Sequence, residues 1–443
     1  MFILLVFIIL VFTQFGLIVT TNINIFPEFF FFPFMISKGQ LMYRDFAVQH
    51  GPFSYLLLVP FSFDKSLLTL KTFYILVQTA NLFLLLLILK KSTSKLGLLI
   101  GGVIFTFLNF YLSDNNLWDE IYATSFFLLA FYLSGTEKIR RSLKLQILGL
   151  LMGLTTLMKP SFGIMIVPII LFYRTFLPLI PMILLWLFVV TFYFFNNGLY
   201  QFIDNYILLN KFYITQPGGF WLERSFFNFT MTVYIFSLLV NLLIKKKGWN
   251  DRLTLTVFFT VSSLLLFYPG FHKTSFYAFS TFLNILIAQL IGRIKKPLLF
   301  FYLVVVLFYG VFGLRKAKHQ YVYLDSNRTP YSENKTVSLI VEELKKLPIE
   351  KKRLYVLGNQ TEIYFLLDKP AQVYFPFVFP FVKTYFKTVE ARLTKDLARN
   401  KVDTVIIPKP LDPNYRSFSR LKNHITTNFR LIKSTKSFDL YKK

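Results

Sequence analysis

The chain has 443 residues, 55% hydrophobic and 19% aromatic, with a mean hydropathy of +0.53 and a formal net charge of +27. That is too apolar for a soluble domain of this length and predicts an α-helical polytopic membrane protein. With no Cys and only four His, a disulfide framework and thiol chemistry are excluded and a zinc site is disfavoured.

The first apolar run, residues 1–20, has neither a charged leading segment nor a small-residue cleavage site, so it is expected to stay as a first helix. A span needs roughly 20 apolar residues. Helices are expected over 2–21, 67–89, 96–112, 120–134, 145–158, 161–173, 177–196, 226–244, 253–269, 274–292 and 297–314, about eleven in all. Alternating from an inside N-terminus, the inner loops collect the basic clusters Lys90-Lys91-Lys95, Lys138-Arg140-Arg141-Lys144, Arg174, Lys245-Lys246-Lys247-Arg252 and Arg293-Lys295-Lys296. The longer outer loops before residue 315 carry only Lys38, Arg44, Lys65, Lys159, Lys211, Arg224 and Lys273. This is the positive-inside pattern. It accounts for much of the basic excess without nucleic acid, and it places the first loop, 22–66, and everything after 314 outside.

The tail, 315–443, predicts a small extracytoplasmic α/β domain. "RLYVLG" (353–358) and "VDTVIIP" (402–408) are short apolar runs of the kind found in buried parallel strands. "VEARLTKDLARN" (389–400) has helical periodicity between them, and "FRLIKSTKSFDLYKK" predicts a closing strand pair with a turn near Ser434–Lys436. No nucleotide-binding glycine pattern occurs in it.

The candidate chemistry lies in the outer loops. The first holds Glu28, Gly39, Tyr43-Arg44-Asp45 and His50-Gly51-Pro52. "FSYLLLVPFSF" (53–63) follows, too short to span and expected to lie in the interface. The second, "SDNNLWDEIY", puts Asp114, Asp119 and Glu120 at the start of a helix. Asp119 there has a ready structural reading, as a carboxylate favoured by the helix dipole; Glu120 is harder to explain that way. Lys159, in "GLTTLMKPSFG", interrupts an apolar stretch, which makes it a functional candidate or a snorkelling anchor. Arg224, Lys273 and Lys159 are cations suited to a lipid phosphate, though each alone also fits an interfacial anchor. No spacing identifies a metal site, while the carboxylates are compatible with a divalent ion.

Glu28 after the first span, Gly39, Tyr43-Arg44-Asp45 and "HGP" before a greasy run together resemble the GT-C glycosyltransferases, which include the protein O-mannosyltransferases and the aminoarabinose transferases. The second-loop "WDE", the "GLTTLMKPSFG" segment and an outer C-terminal domain add to the likeness. The resemblance implies an inverting transfer on the outer face, from a polyprenyl-phosphate-linked sugar to a glycan, lipid or protein acceptor; the Phe- and Lys-rich chain without targeting signals is expected in a bacterial cytoplasmic membrane, and an endoplasmic reticulum location would leave the topology the same. The resemblance makes Glu28 the catalytic carboxylate with Asp45 as competitor, Asp119 or Glu120 the second-loop acid, and Lys159 the donor-phosphate contact. Arg44 is expected near a phosphate, and His50 near the site or in a turn. The acidic pair common in the family's first loop is replaced by a single Glu28 followed by four Phe. The other readings of the sequence are a lipid-linked glycan transporter or flippase, an O-antigen polymerase or ligase, and a non-catalytic scaffold derived from such an enzyme.

Overall fold

The structure, a computed structural model, describes residues 2–19, 23–113, 115–215, 224–245, 251–266, 274–291, 293, 296–325, 335–346, 353–399 and 402–443. It is mostly helical with one small sheet near the C-terminus. Each apolar run expected to form a helix is helical where described, from Phe2–Val19 to Lys296–Asp325. Two of these helices, Leu68–Ser92 and Lys95–Ser113, are long and apolar enough to cross a membrane by length and composition. Further apolar helices of 10–17 residues include Leu179–Phe195 and Phe276–Ile291. The helix Lys296–Asp325 continues past residue 314, where the sequence places the end of the last span.

Contacts divide the chain into two compact units, the first made of Met1–Asn24, Lys71–Val189 and Pro217–Arg328, the second of Ile25–Leu70, Val190–Gln216 and Thr329–Lys443.

In the first unit the helix Phe276–Ile291 is buried along its whole length. It packs against Lys95–Ser113, Asp119–Ser134, Arg224–Lys245 and Asp251–Leu265. A helix apolar on every side suits such a central position. Some of its polar groups bond within the bundle: Tyr277 Oη donates to Gln78 Oε1 at 2.6 Å, and Asn284 Nδ2 to the Gly101 carbonyl at 2.7 Å, while Asn284 Oδ1 and the Gln289 amide are buried with no hydrogen-bond partner among the described residues. The run around Lys159 does not make one helix. Lys159 is extended (φ −149°, ψ 128°), as a residue before proline prefers, and a 3₁₀ segment Pro160–Ile166 precedes the helix Val167–Tyr173.

In the second unit a single hydrophobic core unites three distant stretches: Ala47, Leu209 and residues such as Tyr355, Phe375, Leu393, Val405 and Leu421. The sheet has the order β1-β2-β4-β3, with β1 at Leu354–Val356, β2 at Thr404–Pro408, β3 at Arg430–Ser434 and β4 at Phe438–Lys442. β1 and β2 pair in parallel, while β3 and β4 pair antiparallel, as the sequence predicts. The helix Val389–Arg399 follows its periodicity and buries Val389, Leu393 and Leu397. The helices Glu28–Ser37, Leu209–Thr215, Lys335–Lys345 and Ser419–Asn428 lie where no helix is expected from the sequence. The run 53–63 folds as a helix, Pro52–Leu56, and a 3₁₀ turn, Val59–Phe61.

Candidate functional site

Glu28 opens the helix Glu28–Ser37 and is 5% exposed. A carboxylate in a first turn is favoured by the helix dipole. The four phenylalanines after it hold that turn from different sides. Phe29 meets Tyr55, Phe30 meets Phe365, Phe31 meets Tyr364 and Phe32 stacks on Phe46, with ring centres 5.0–6.1 Å apart. The Phe run that departs from the acidic pair is thus the anchor of the acid that remains.

Glu28 lines a small pocket with Phe32, Ala47, Val48, Gln49, Asn205, Leu209, Phe377, Phe379 and Val382. Its free volume of about 10 Å³ holds roughly one water. His50 Nε2 stands 3.8 Å from Glu28 Oε2, and the imidazole packs between Phe29 and Tyr55. That distance is beyond hydrogen-bond length, so the contact is electrostatic.

Asn205 is a site residue that sequence reasoning missed. It is buried in the π-helical turn Ile203–Leu208, a conformation often found at functional sites. Its Nδ2 donates to Tyr374 Oη and the Gln201 carbonyl, both at 2.8 Å. Its Oδ1 is buried with no hydrogen-bond partner among the described residues, leaving an acceptor among the residues that line the Glu28 pocket.

Arg44 and Asp45 form a fork, Nε to Oδ1 and Nη2 to Oδ2, both at 2.8 Å. Asp45 Oδ2 also accepts from the Leu41 backbone N–H at 2.7 Å. Burial alone would raise the Asp45 carboxyl; the Arg44 hydrogen bond, the Leu41 N–H and the guanidinium charge outweigh it and hold it below its ordinary value. Beside this pair Tyr43 adopts φ 66°, is fully buried, and donates from Oη to the His50 carbonyl at 2.7 Å. Asp45 therefore shapes the loop that carries His50.

In the first unit, Asp119 and Glu120 begin the helix Asp119–Ser134, with Trp118 in the cap position. Both are buried, at 0% and 2% exposure. Asp119 is in the first turn, where the dipole favours it. Glu120 Oε1 accepts from Lys159 Nζ at 2.7 Å and from Ser275 Oγ at 3.2 Å. Lys159 does not simply snorkel: it is paired, yet its side chain is 31% exposed. Arg224 opens the helix Arg224–Lys245 and is exposed; Asp114 and Lys273 lie outside the described residues. The expected grouping of Lys159, Arg224 and Lys273 therefore falls partly outside the described residues. Among the described residues no group of three or more His, Asp or Glu is arranged to hold a metal ion.

No protein-family model matches the sequence, and no curated protein does. Solved structures do. ArnT from Cupriavidus metallidurans bound to undecaprenyl phosphate matches 99% of this chain over 97% of its own, with TM-score 0.58 and 10% identity. Its apo form matches with TM-score 0.59 and 11% identity over the same shares, 99% and 97%. The apo oligosaccharyltransferase of Archaeoglobus fulgidus matches 92% of this chain and 69% of its own, with TM-score 0.51 and 13% identity. The chain shares its fold with these ArnT and oligosaccharyltransferase structures. At this identity the match shows the fold alone: a mostly helical chain with a small C-terminal sheet.

Proposed function

We propose that the chain is a membrane glycosyltransferase that moves a sugar from a polyprenyl-phosphate donor to an acceptor on the outer face of a cytoplasmic membrane. The observation that carries this reading is a buried, anchored carboxylate, Glu28, at the wall of a pocket, in a fold shared along 99% of the chain with a protein solved bound to undecaprenyl phosphate. A membrane setting is supported by exposed apolar faces. Leu4, Phe12, Phe188, Phe195, Phe300 and Leu307 are each more than 60% exposed on helices, surface that water disfavours and lipid accepts. In this reading residues 1–314 hold the spans, the N-terminus is inside and residues 315–443 lie outside.

The reaction follows from the groups present. An acceptor hydroxyl attacks the anomeric carbon, its proton passes to the Glu28 carboxylate, and the new O–C bond forms as the bond from carbon to phosphate oxygen breaks. The electron pair leaves with the polyprenyl phosphate. Attack opposite the leaving group inverts the anomeric centre. The transition state carries oxocarbenium character, which a nearby carboxylate stabilises. Asn205 Oδ1 accepts a hydrogen bond from the acceptor. Lys159, oriented by Glu120, is the donor-phosphate contact and needs no metal for that role. Asp45 is assigned to the loop fork, which leaves Glu28 as the base. Incubation of the purified protein with a panel of polyprenyl-phosphate sugars tests this: release of polyprenyl phosphate supports it, and no binding or release with any donor rejects it in favour of a scaffold.

A further inference from the structure

The first unit has a second site of strong charge, remote from Glu120 and Lys159. An open pocket of about 950 Å³ is lined by Arg140, Arg141, Lys144 and Arg174, together with Glu137 and Asp251, so cations exceed carboxylates by two. Leu171, Phe172 and Phe258 give it an apolar flank. It lies at the start of the helix Arg141–Thr156, whereas Lys159 lies three residues beyond that helix's end. Sixteen residues at 1.5 Å each separate the two ends by about 24 Å.

Three features point to an anion here. Arg140 is the cap residue and Arg141 and Lys144 sit in or beside the first turn, with no acid there. Cations at a helix N-terminus oppose its dipole, while an anion is attracted by both the dipole and the cations. Lys144 is only 8% exposed, yet among the described residues no carboxylate lies within 4.0 Å of it or of Arg140, Arg141 or Arg174. Its Nζ stands 5.7 Å from the Tyr173 ring centre, and Arg141 Nη2 is tied to the Tyr173 carbonyl at 3.1 Å, which sets both at the pocket wall. Arg174 ends the helix Val167–Tyr173 in the left-handed region (φ 51°, ψ 45°), bringing a fourth cation to the same wall.

We infer that this pocket binds a phosphate-bearing anion, with Lys144 and Arg140 as its principal contacts and Arg174 as a further cation at the same wall. The source expected is the head group of an anionic phospholipid, which rests on the membrane reading above; recognition of phosphate does not. A basic pocket between helices facing the cytoplasmic leaflet is where such head groups bind.

The test is native mass spectrometry of the delipidated full chain in detergent, with dioleoyl phosphatidylglycerol against dioleoyl phosphatidylcholine. Equilibrium dialysis with inorganic phosphate is run in parallel. Wild type is expected to prefer the anionic lipid, and Arg140→Gln/Arg174→Gln to lose at least about tenfold in affinity, the value of one charge-assisted contact. Lys144→Gln, which keeps the surface arginines, is expected to lose as much, and serves where the double variant fails to fold. Binding of inorganic phosphate that the same variants abolish, without lipid preference, supports the site with a free anion as its source. Equal binding by wild type and variants in both arms overturns it, and the cations then serve only to orient the chain. Loss of the preference in Lys159→Ala also overturns it, because the lipid then occupies the proposed donor site.

Discussion

Lys159 Nζ donates a 2.7 Å hydrogen bond to Glu120 Oε1, joining the break between two apolar segments to the start of a helix 39 residues earlier. Glu120 is 2% exposed, and the same oxygen also accepts a hydrogen bond from Ser275 Oγ at 3.2 Å. Removing one member of a buried pair strands the other, at roughly 3–5 kcal/mol; the partial exposure of Lys159 puts the expected loss for Lys159→Ala nearer 2 kcal/mol. Replacing both, as Lys159→Met/Glu120→Leu, should cost clearly less than the two single changes summed. A double-mutant cycle of thermal unfolding in detergent measures this, and additive losses would show that the pair is not coupled.

Asp45 should reveal itself in acid. Its carboxyl is held below its ordinary value in the folded chain, so its contribution is present above the unfolded value of about 3.9 and is lost as pH falls through the lower folded value. Asp45→Asn should therefore flatten the acid limb of stability below about pH 4 and leave the neutral range with a constant offset. Unfolding followed from pH 3 to 7 in both proteins checks this, and an unchanged acid limb would refute it.

Glu362 behaves in the opposite sense. It is 3% exposed, and burial pushes its carboxyl up to about 8. The folded chain keeps a proton there that the unfolded chain gives up near 4.3, so stability falls as pH rises from about 4.3 to about 8. The slope from this group is at most about 1.4 kcal/mol per pH unit. Glu362→Gln should remove that slope and be more stable than wild type at pH 8. Melting curves at pH 5 and pH 8 decide it; a variant no more stable at pH 8 would contradict the assignment.

Gly149 marks a close approach of helices in the first unit. A Cβ there would run into the Pro178 carbonyl and the Pro181 ring. The obstacle is backbone, so it cannot rotate away. Gly149→Ala should cost about 1–3 kcal/mol, the range for overpacking, whereas Gly310→Ala, with open space around it, should be near neutral. Comparing folded yield and melting temperature of the two tests the packing.

Much of this was legible in the residues. Apolar runs located the helices, and short β-rich runs located β1 and β2 with their parallel pairing. Other elements were hidden for physical reasons. Residues 199–215 mix Asn, Asp and Lys into an apolar run, and their turn geometry changes to π-helical at Ile203–Leu208, so no clean period marks them. Their contribution of Leu209 to a core with Ala47 and Phe375 is long-range, which periodicity cannot report. Lys159 was singled out because an ionisable group inside an apolar run is costly, Glu120 because it begins such a run, and Glu28 by its place in the first loop. The pairing of Lys159 with Glu120, the closing of Asp45 onto Arg44 and the arrival of Asn205 beside Glu28 depend on the folded arrangement. A lone Asn in an amphipathic stretch carries no signal of its own.

The central claim is that Glu28 takes the acceptor proton. The most direct measurement is release of polyprenyl phosphate from the donor that wild type uses, compared with Glu28→Gln, an isosteric change that keeps the Phe anchor. The expected result is a fall of at least about 100-fold, within the range for loss of a general base, with donor binding retained. Release by Glu28→Gln at the wild-type rate would contradict the account and return the role of base to another carboxylate.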